Sequence, residues 1–163
     1  MLFETTLIYS ENLVRSAVWS FWKRTVGVSY VLVLIAMTCG VAVLAVQGDR
    51  SWFLGIMGTV VGMGYLMLVS IYVIHFKNSM AKFRDMGSPS ATFRADEQSF
   101  TIESGVGVSK LQWSAVKEIW QFQDVWLLLF SKAQFSTLPL ANVPPEMQAF
   151  ILEKVKLAGG KIL

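Results

Sequence analysis

Residues able to perform catalysis are few in this sequence. The 163 residues include one histidine, His75, and one cysteine, Cys39. Hydrolytic catalysis needs a nucleophile, a base and an orienting group, and a transition-metal site needs several nitrogen, sulfur or carboxylate ligands. The adjacent carboxylates Asp96 and Glu97 lie in a predicted turn, where neighbouring side chains do not face one another. The sequence therefore predicts a protein that is not an enzyme and holds no cofactor or metal.

Two further motifs indicate ordinary structural roles. Gly105-Val106-Gly107 lacks the following helix that a dinucleotide-binding loop requires, so we interpret it as a hairpin turn. Lys110, Lys117 and Lys132 are dispersed over predicted strands instead of clustered, and the net charge is only +3. A nucleic-acid interface needs a concentrated basic surface. We therefore expect no nucleic-acid partner.

Small residues at helical spacing offer a surface for close helix packing. Gly58 and Gly62 form a GxxxG motif, and Gly55 with Thr59 forms a second small-xxx-small pair. Such spacing lets the backbones of two membrane helices approach closely. Two interpretations remain open. This face packs against the neighbouring helix of the same chain, or it docks on a second copy or on a helix of another membrane protein.

Basic residues flank the apolar part of the chain. We call the following set the basic collar: Lys23, Arg24, Lys77, Lys82 and Arg84. Such residues fix the orientation of membrane helices, and they also attract anionic lipid headgroups. The collar therefore either sets the topology alone or makes specific contact with anionic phospholipid.

The C-terminal part of the chain, which is predicted below to form a small β-rich domain, contains three tryptophans, a large number for its size. Packing in the core accounts for Trp113. Trp120 and Trp126 either belong to the same core or form an aromatic patch that faces a partner or the bilayer. Both alternatives remain open from the sequence alone.

The chain that carries these residues is too apolar for an ordinary soluble domain. Hydrophobic residues make up 54% of it and charged residues 15%, against roughly 45–50% and 25% in soluble proteins. Residues 25–46 and 51–74 contain no charged side chain, and about 20 apolar residues suffice to cross a bilayer. We predict two transmembrane helices, joined into an antiparallel hairpin (25–74) by the short turn at 47–50.

The distribution of basic residues predicts the orientation of this hairpin. The basic collar flanks the two spans on the side of the chain termini, whereas Arg50, beside Asp49, is the one basic residue in the turn. The positive-inside rule then places both termini in the cytoplasm. We expect a multi-pass protein of a bacterial inner membrane.

The segments beside the hairpin are predicted to lie in the cytoplasm. Residues 1–24 contain a predicted strand at 2–9 and an amphipathic helix at 11–24. This helix either lies on the membrane surface or continues into the first span. Residues 75–90 are predicted to form a basic juxtamembrane linker that ends at a Gly-Ser-Pro-Ser break.

Residues 91–163 are predicted to form a small α+β domain. Six short β-prone runs alternate with turn candidates such as Gln123-Asp124 and Lys132-Ala133, which indicates an antiparallel β-meander. An amphipathic helix follows at 144–158, with proline at its start and glycine after its end. This order is typical of a pleckstrin-homology-like (PH-like) barrel, to which the strand at 2–9 would add a seventh strand.

Several short motifs resemble the YcxB-like family of bacterial two-span membrane proteins. The resemblance rests on residues 8–12, on the hairpin, and above all on residues 111–119, which contain a Trp-Ser-x-aliphatic strand. A following strand reaches Trp126, and a Leu-Pro pair follows at 138–139, where Leu140 replaces the basic residue that members often carry. The resemblance implies a membrane hairpin with a cytoplasmic PH-like domain, and it implies no activity.

These features favour a membrane-tethered binding or regulatory module that engages another membrane or membrane-proximal protein. An immunity-type inhibitor of a membrane-active toxin is one alternative, because a hairpin with a packing groove can occupy a membrane helix of the toxin. A module that senses anionic lipid through the basic collar is another. Self-association into a homo-oligomer is compatible with all three.

Overall fold

The computed structural model of the chain describes residues 2–132 and 134–163. Contacts group the residues up to Ala17 with those from Asn78 onward, and they group Val18–Lys77 separately. We call the first group the sheet unit and the second the hairpin unit. The elements in chain order are β1 (Phe3–Ile8), α1 (Glu11–Val46), α2 (Trp52–Asp85), β2 (Ser90–Ala95), β3 (Ser99–Ser104), β4 (Gly107–Gln112), β5 (Glu118–Gln121), β6 (Val125–Ser131), β7 (Gln134–Pro139), α3 (Pro145–Leu157) and β8 (Lys161–Ile162).

The hairpin unit is built from the two apolar segments. Both α1 and α2 are long and apolar enough to cross a membrane, as predicted. Between them the chain turns at Gly48, whose φ of 84° is left-handed and favours glycine. The Asp49 carboxylate accepts a hydrogen bond from the Ser51 N–H at 2.7 Å, and the Ser51 hydroxyl accepts one from the Leu54 N–H. These contacts cap the start of α2.

Both helices extend beyond the predicted spans. The helix predicted at 11–24 continues into the first span, with a break at Gly27, whose φ of 71° and ψ of 151° are not helical. Likewise α2 runs on to Asp85, so most of the predicted linker at 75–90 is helical. Lysine, arginine, methionine and alanine in that segment are good helix formers. The helix ends only where Gly87, with a φ of 67°, and a proline follow.

The sheet unit contains two four-stranded sheets. Their strand orders are β1-β2-β3-β4 and β7-β6-β5-β8. The predicted N-terminal strand joins the first sheet, because Phe3 lies opposite Ala95 and Ile8 opposite Ser90 in an antiparallel ladder. The six predicted runs all contain strands, but a 3-10 turn at Trp113–Ala115 divides them between two sheets. Within the predicted turn Lys132-Ala133, Ala133 lies outside the described residues.

One hydrophobic core joins the two sheets and α3. It includes Phe93 and Phe100 from the first sheet and Leu128 from the second. The helix α3 buries Met147, Ile151 and Val155, which recur every four residues and so share one face.

Two turns of the sheet unit require glycine, one between β3 and β4 and one after α3. A Cβ at Gly105 would clash with the Met86 carbonyl oxygen, so the β3–β4 turn has no room for a side chain there. In the second turn, Gly159 ends α3 with a φ of 85°, and the chain then returns as β8, parallel to β5.

Candidate functional site

The small-residue face of α2 lies open in the hairpin. A Cβ placed at Gly55, Gly58 or Gly62 would meet no atom within 4 Å. The hydroxyl of Thr59 donates a hydrogen bond to the Gly55 carbonyl at 2.9 Å, so it is satisfied within its own helix. The predicted residues therefore share one accessible face of α2, which does not pack against α1.

A different glycine makes the contact between the two helices. A Cβ at Gly64 would lie 2.7 Å from Leu34 Cδ1, and the Tyr30 hydroxyl donates a 3.5 Å hydrogen bond to the Gly64 carbonyl. Val61 and Leu34 are both buried at this seam. Because an α-helix has 3.6 residues per turn, Gly58 and Gly62 lie on a different side of α2 from Val61 and Gly64. The sequence pattern missed Gly64, because periodicity alone does not show which small residue faces the partner helix.

An aromatic cluster lies at the end of the hairpin unit remote from the Gly48 turn. The rings of Trp19 and Trp22 stack at 5.0 Å, and Tyr72 meets Trp19 edge-on at 6.0 Å. The Trp22 indole N–H donates to the Leu68 carbonyl at 3.0 Å, which ties α1 to α2. Indole and phenol rings favour the headgroup zone of a bilayer. Tyr72 was not singled out from the sequence as part of this cluster.

The residues of the basic collar are all exposed. Lys23 lies 5.1 Å above the Trp19 ring, a cation–π contact next to the aromatic cluster. Lys77 belongs to the hairpin unit, whereas Lys82 and Arg84 are in the last turns of α2, within the sheet unit. Each side chain is accessible to solvent or to lipid headgroups.

Trp120 and Trp126 do not form the aromatic patch that was one of their two interpretations. Trp120 is 9% exposed and donates a 2.7 Å hydrogen bond to the Glu118 carboxylate. Trp126 is 5% exposed and belongs to the hydrophobic core. For Trp126 the physical reason is that β6 buries five residues in succession, from Val125 to Leu129, so both faces of this strand are covered.

Tyr9 was not singled out as a candidate residue, yet it joins three parts of the sheet unit. Its N–H donates to the Pro89 carbonyl at 2.8 Å, and its hydroxyl donates to the Thr137 carbonyl on β7 at 3.0 Å. Burial raises the pKa of the Tyr9 hydroxyl. The contact with Pro89 holds together the two segments through which the chain enters and leaves the helices.

The carboxylate pair Asp96 and Glu97 has a structural role. Asp96 accepts hydrogen bonds from the N–H groups of Gln98 and Ser99 at 2.8 and 2.7 Å and from the Ser99 hydroxyl. Glu97 forms an ion pair with Lys154 of α3. Within residues 2–132 and 134–163, no three His, Cys, Asp or Glu side chains cluster in a way that could hold a metal ion.

The hydrogen bonds to Asp96 give the sheet unit a pH dependence. Those from the backbone of Gln98 and Ser99 lower the pKa of this carboxyl. Because the pKa is lower in the folded state, the stabilisation is present above the usual carboxyl pKa and is lost as the pH falls through the folded value. We expect Asp96→Asn to flatten the loss of stability as the pH falls below about 4, measured by chemical unfolding of the full chain in mild detergent. An unchanged pH profile would contradict this role, and Glu153→Gln, on the exposed side of α3, is the control.

Part of the sheet unit is similar to a known protein family. A family model described as YcxB-like protein matches residues 95–154. The matched segment runs from the last residue of β2 into α3 and includes residues 111–119, which carried the sequence resemblance. No curated protein matches the chain, and no solved structure matches it. Residues 95–154 of the chain are therefore similar to the YcxB-like family.

Proposed function

We propose that this protein is a non-enzymatic, membrane-tethered binding module that engages another membrane protein through the small-residue face of α2. The observation that supports this is the open space over Gly55, Gly58 and Gly62, while Gly64 makes the contact with α1. In lipid, helices associate through close packing and not through the hydrophobic effect, so a smooth glycine face is a favourable contact surface. A partner helix that lies in this face would bring its backbone close to that of α2.

We also propose that the hairpin spans a bacterial inner membrane with both termini in the cytoplasm. The pairing of β1 with β2 supports a common side for the two termini, because these strands precede and follow the hairpin in the chain. The basic collar on that side supports the cytoplasm, by the positive-inside rule. Seven strands in two sheets followed by α3 support classification of the sheet unit as a PH-like domain.

The double variant Gly58→Leu/Gly62→Leu tests this function. We expect it to insert normally and to lose the associated membrane protein, because two leucine side chains keep a partner backbone from approaching α2. The matched control is Gly40→Leu on α1, where a Cβ also meets no atom within 4 Å. Quantitative mass spectrometry of proteins purified with each variant in mild detergent is the measurement. Equal recovery of the associated protein from all variants would contradict the proposal.

A second candidate function is the sensing of anionic lipid, which the exposure of the whole basic collar favours. Each basic residue near a membrane surface contributes about 1 kcal/mol of attraction to anionic lipid. We expect Lys77→Glu/Lys82→Glu/Arg84→Glu to reduce the phosphatidylglycerol retained by the purified protein, as quantified by lipid mass spectrometry. The full chain is required, because a fragment that starts after the hairpin lacks β1.

A second triple variant controls for net charge in this experiment. It reverses three exposed lysines outside the collar, namely Lys132, Lys156 and Lys161. Equal lipid retention by the two triple variants would exclude a specific role of the collar.

A further inference from the structure

The strand β4 has an open edge. It is the last strand of the sheet β1-β2-β3-β4 and pairs with β3 from Gly107 to Gln112 in unbroken register. No strand within the described residues pairs with its other edge. All of its residues are exposed except Leu111, which is half-buried, and Val108 is 65% exposed. Such an edge presents N–H and C=O groups that another strand can pair with.

We infer that β4 pairs antiparallel with β4 of a second copy of this chain, with Ser109 at the two-fold axis. A two-fold axis perpendicular to the sheet keeps each face of the sheet on the same side in both copies. Residues that lie opposite one another must therefore have their side chains on the same face of the sheet, so their residue numbers differ by an even number. Two such registers overlap most of the strand, one centred on Ser109 and one centred on Lys110.

Charge selects between these two registers. Centring on Lys110 would place two ammonium groups directly opposite one another, which destabilises a strand pair. Centring on Ser109 places Val108 opposite Lys110 of the second copy. Since Val108 also lies opposite Glu103 of β3, the carboxylate of Glu103 and the second copy's Lys110 come to lie on either side of Val108. The two-fold axis repeats this complementary arrangement.

The same register extends a charged row that already crosses the first sheet. Arg94 on β2 forms ion pairs with Glu4 on β1 at 3.1 Å and with Glu103 on β3 at 3.0 Å. Lys110 of the second copy would add the next positive charge beyond Glu103 in this row. The aliphatic part of the lysine would cover Val108, which is exposed in the single chain.

Confinement to a membrane makes a short edge contact sufficient for pairing. Six residues of strand bury too little surface for a stable soluble dimer. Two chains held in one bilayer meet at a high effective concentration, which strengthens a weak contact. The inference rests on the proposed membrane location of the hairpin and goes beyond the proposed role of α2.

Disulfide trapping in native membranes tests the register. The full chain carries Cys39→Ser, which removes its own cysteine, and then one of Ser109→Cys, Val108→Cys or Lys110→Cys. At the two-fold axis the Cβ atoms of opposite residues lie about 5 Å apart, whereas diagonal neighbours lie about 7 Å apart or more. We expect Ser109→Cys to give a disulfide dimer under mild oxidation. Val108→Cys and Lys110→Cys should give it only when they are expressed together.

Three controls make the outcome decisive. Gln98→Cys, in the exposed β2–β3 turn, reports random collision and is expected to give no dimer. Adding Lys110→Glu to Ser109→Cys should abolish the dimer, because it places a carboxylate near Glu103 of the second copy. Adding Gly58→Leu/Gly62→Leu should leave the dimer intact, so this test and that of α2 fail independently.

Several results would overturn the inference. They are no dimer from Ser109→Cys, equal dimer yields from Ser109→Cys and Gln98→Cys, and a disulfide between Ser109→Cys and a different protein. The last result would instead assign the β4 edge to an extended segment of another chain.

Discussion

Replacement of Leu7 by alanine is expected to destabilise the sheet unit by about 2–5 kcal/mol, because the truncation leaves a cavity in a packed core. Leu7 is fully buried among residues of both sheets and α3, although it precedes the helical hairpin in the chain. The neighbouring Ile8 is on the other face of β1 and is 56% exposed. We therefore expect Ile8→Ala to change stability by no more than about 0.5 kcal/mol.

Hydrogen exchange on the full chain in mild detergent measures this difference. In Leu7→Ala, the amides of β2 and β3 should exchange faster, because β1 completes their sheet. In Ile8→Ala they should exchange as in the unaltered chain. Equal exchange in the two variants would show that β1 does not belong to this core.

The role of β1 illustrates what the sequence predicts and what it leaves open. The β-branched and aromatic residues of the segment were enough to predict a strand at 2–9. Its partner was only a hypothesis, since Phe3 pairs with Ala95 across the whole hairpin and no local pattern records such a pairing. The ends of the two spans next to the Gly48 turn were predicted within a few residues, because the charged residues Asp49 and Arg50 interrupt the apolar sequence there. Their other ends were not, because good helix formers carry α2 beyond the apolar run to Asp85.

The free energy of unfolding is expected to fall by about 3–5 kcal/mol in Trp113→Ala, because this truncation removes a whole indole ring from the core. The indole is 3% exposed and packs against Phe100 at 5.0 Å and Phe150 at 6.3 Å. Its N–H donates to the Asp96 carbonyl at 2.9 Å and so holds the β2–β3 turn. Trp113→Phe should cost less, since it keeps an aromatic ring and loses the hydrogen bond and only part of the buried indole volume.

Denaturant unfolding of the purified full chain, followed by tryptophan fluorescence, ranks these variants. The control is Trp52→Ala, because Trp52 is at the start of α2 and is 79% exposed. We expect the denaturant concentration at the unfolding midpoint to be highest for Trp52→Ala, lower for Trp113→Phe and lowest for Trp113→Ala. A midpoint for Trp113→Ala equal to that of Trp52→Ala would contradict the packing described for the core.

The site was predicted less completely than the fold, for identifiable reasons. A GxxxG motif marks small residues, but only the register of two helices shows that Gly64 faces α1 while Gly58 and Gly62 do not. In β6 the run Val-Trp-Leu-Leu-Leu has no alternation, so the sequence assigned Trp126 to neither face. The strand β8 has two residues, which is too short for any periodic signal.

Photo-crosslinking from two adjacent positions of α2 in native membranes tests the proposed function most directly. Leu66 follows Gly62 by four residues and shares its face, whereas Met67 points away from that face. Both are exposed, at 68% and 57%, so lipid reaches them equally well. We expect a photoreactive residue at 66 to give one protein adduct that Gly58→Leu/Gly62→Leu abolishes, and at 67 to give lipid adducts alone. A protein partner on this face would be contradicted if positions 66 and 67 gave the same adducts, or if position 66 gave lipid adducts alone.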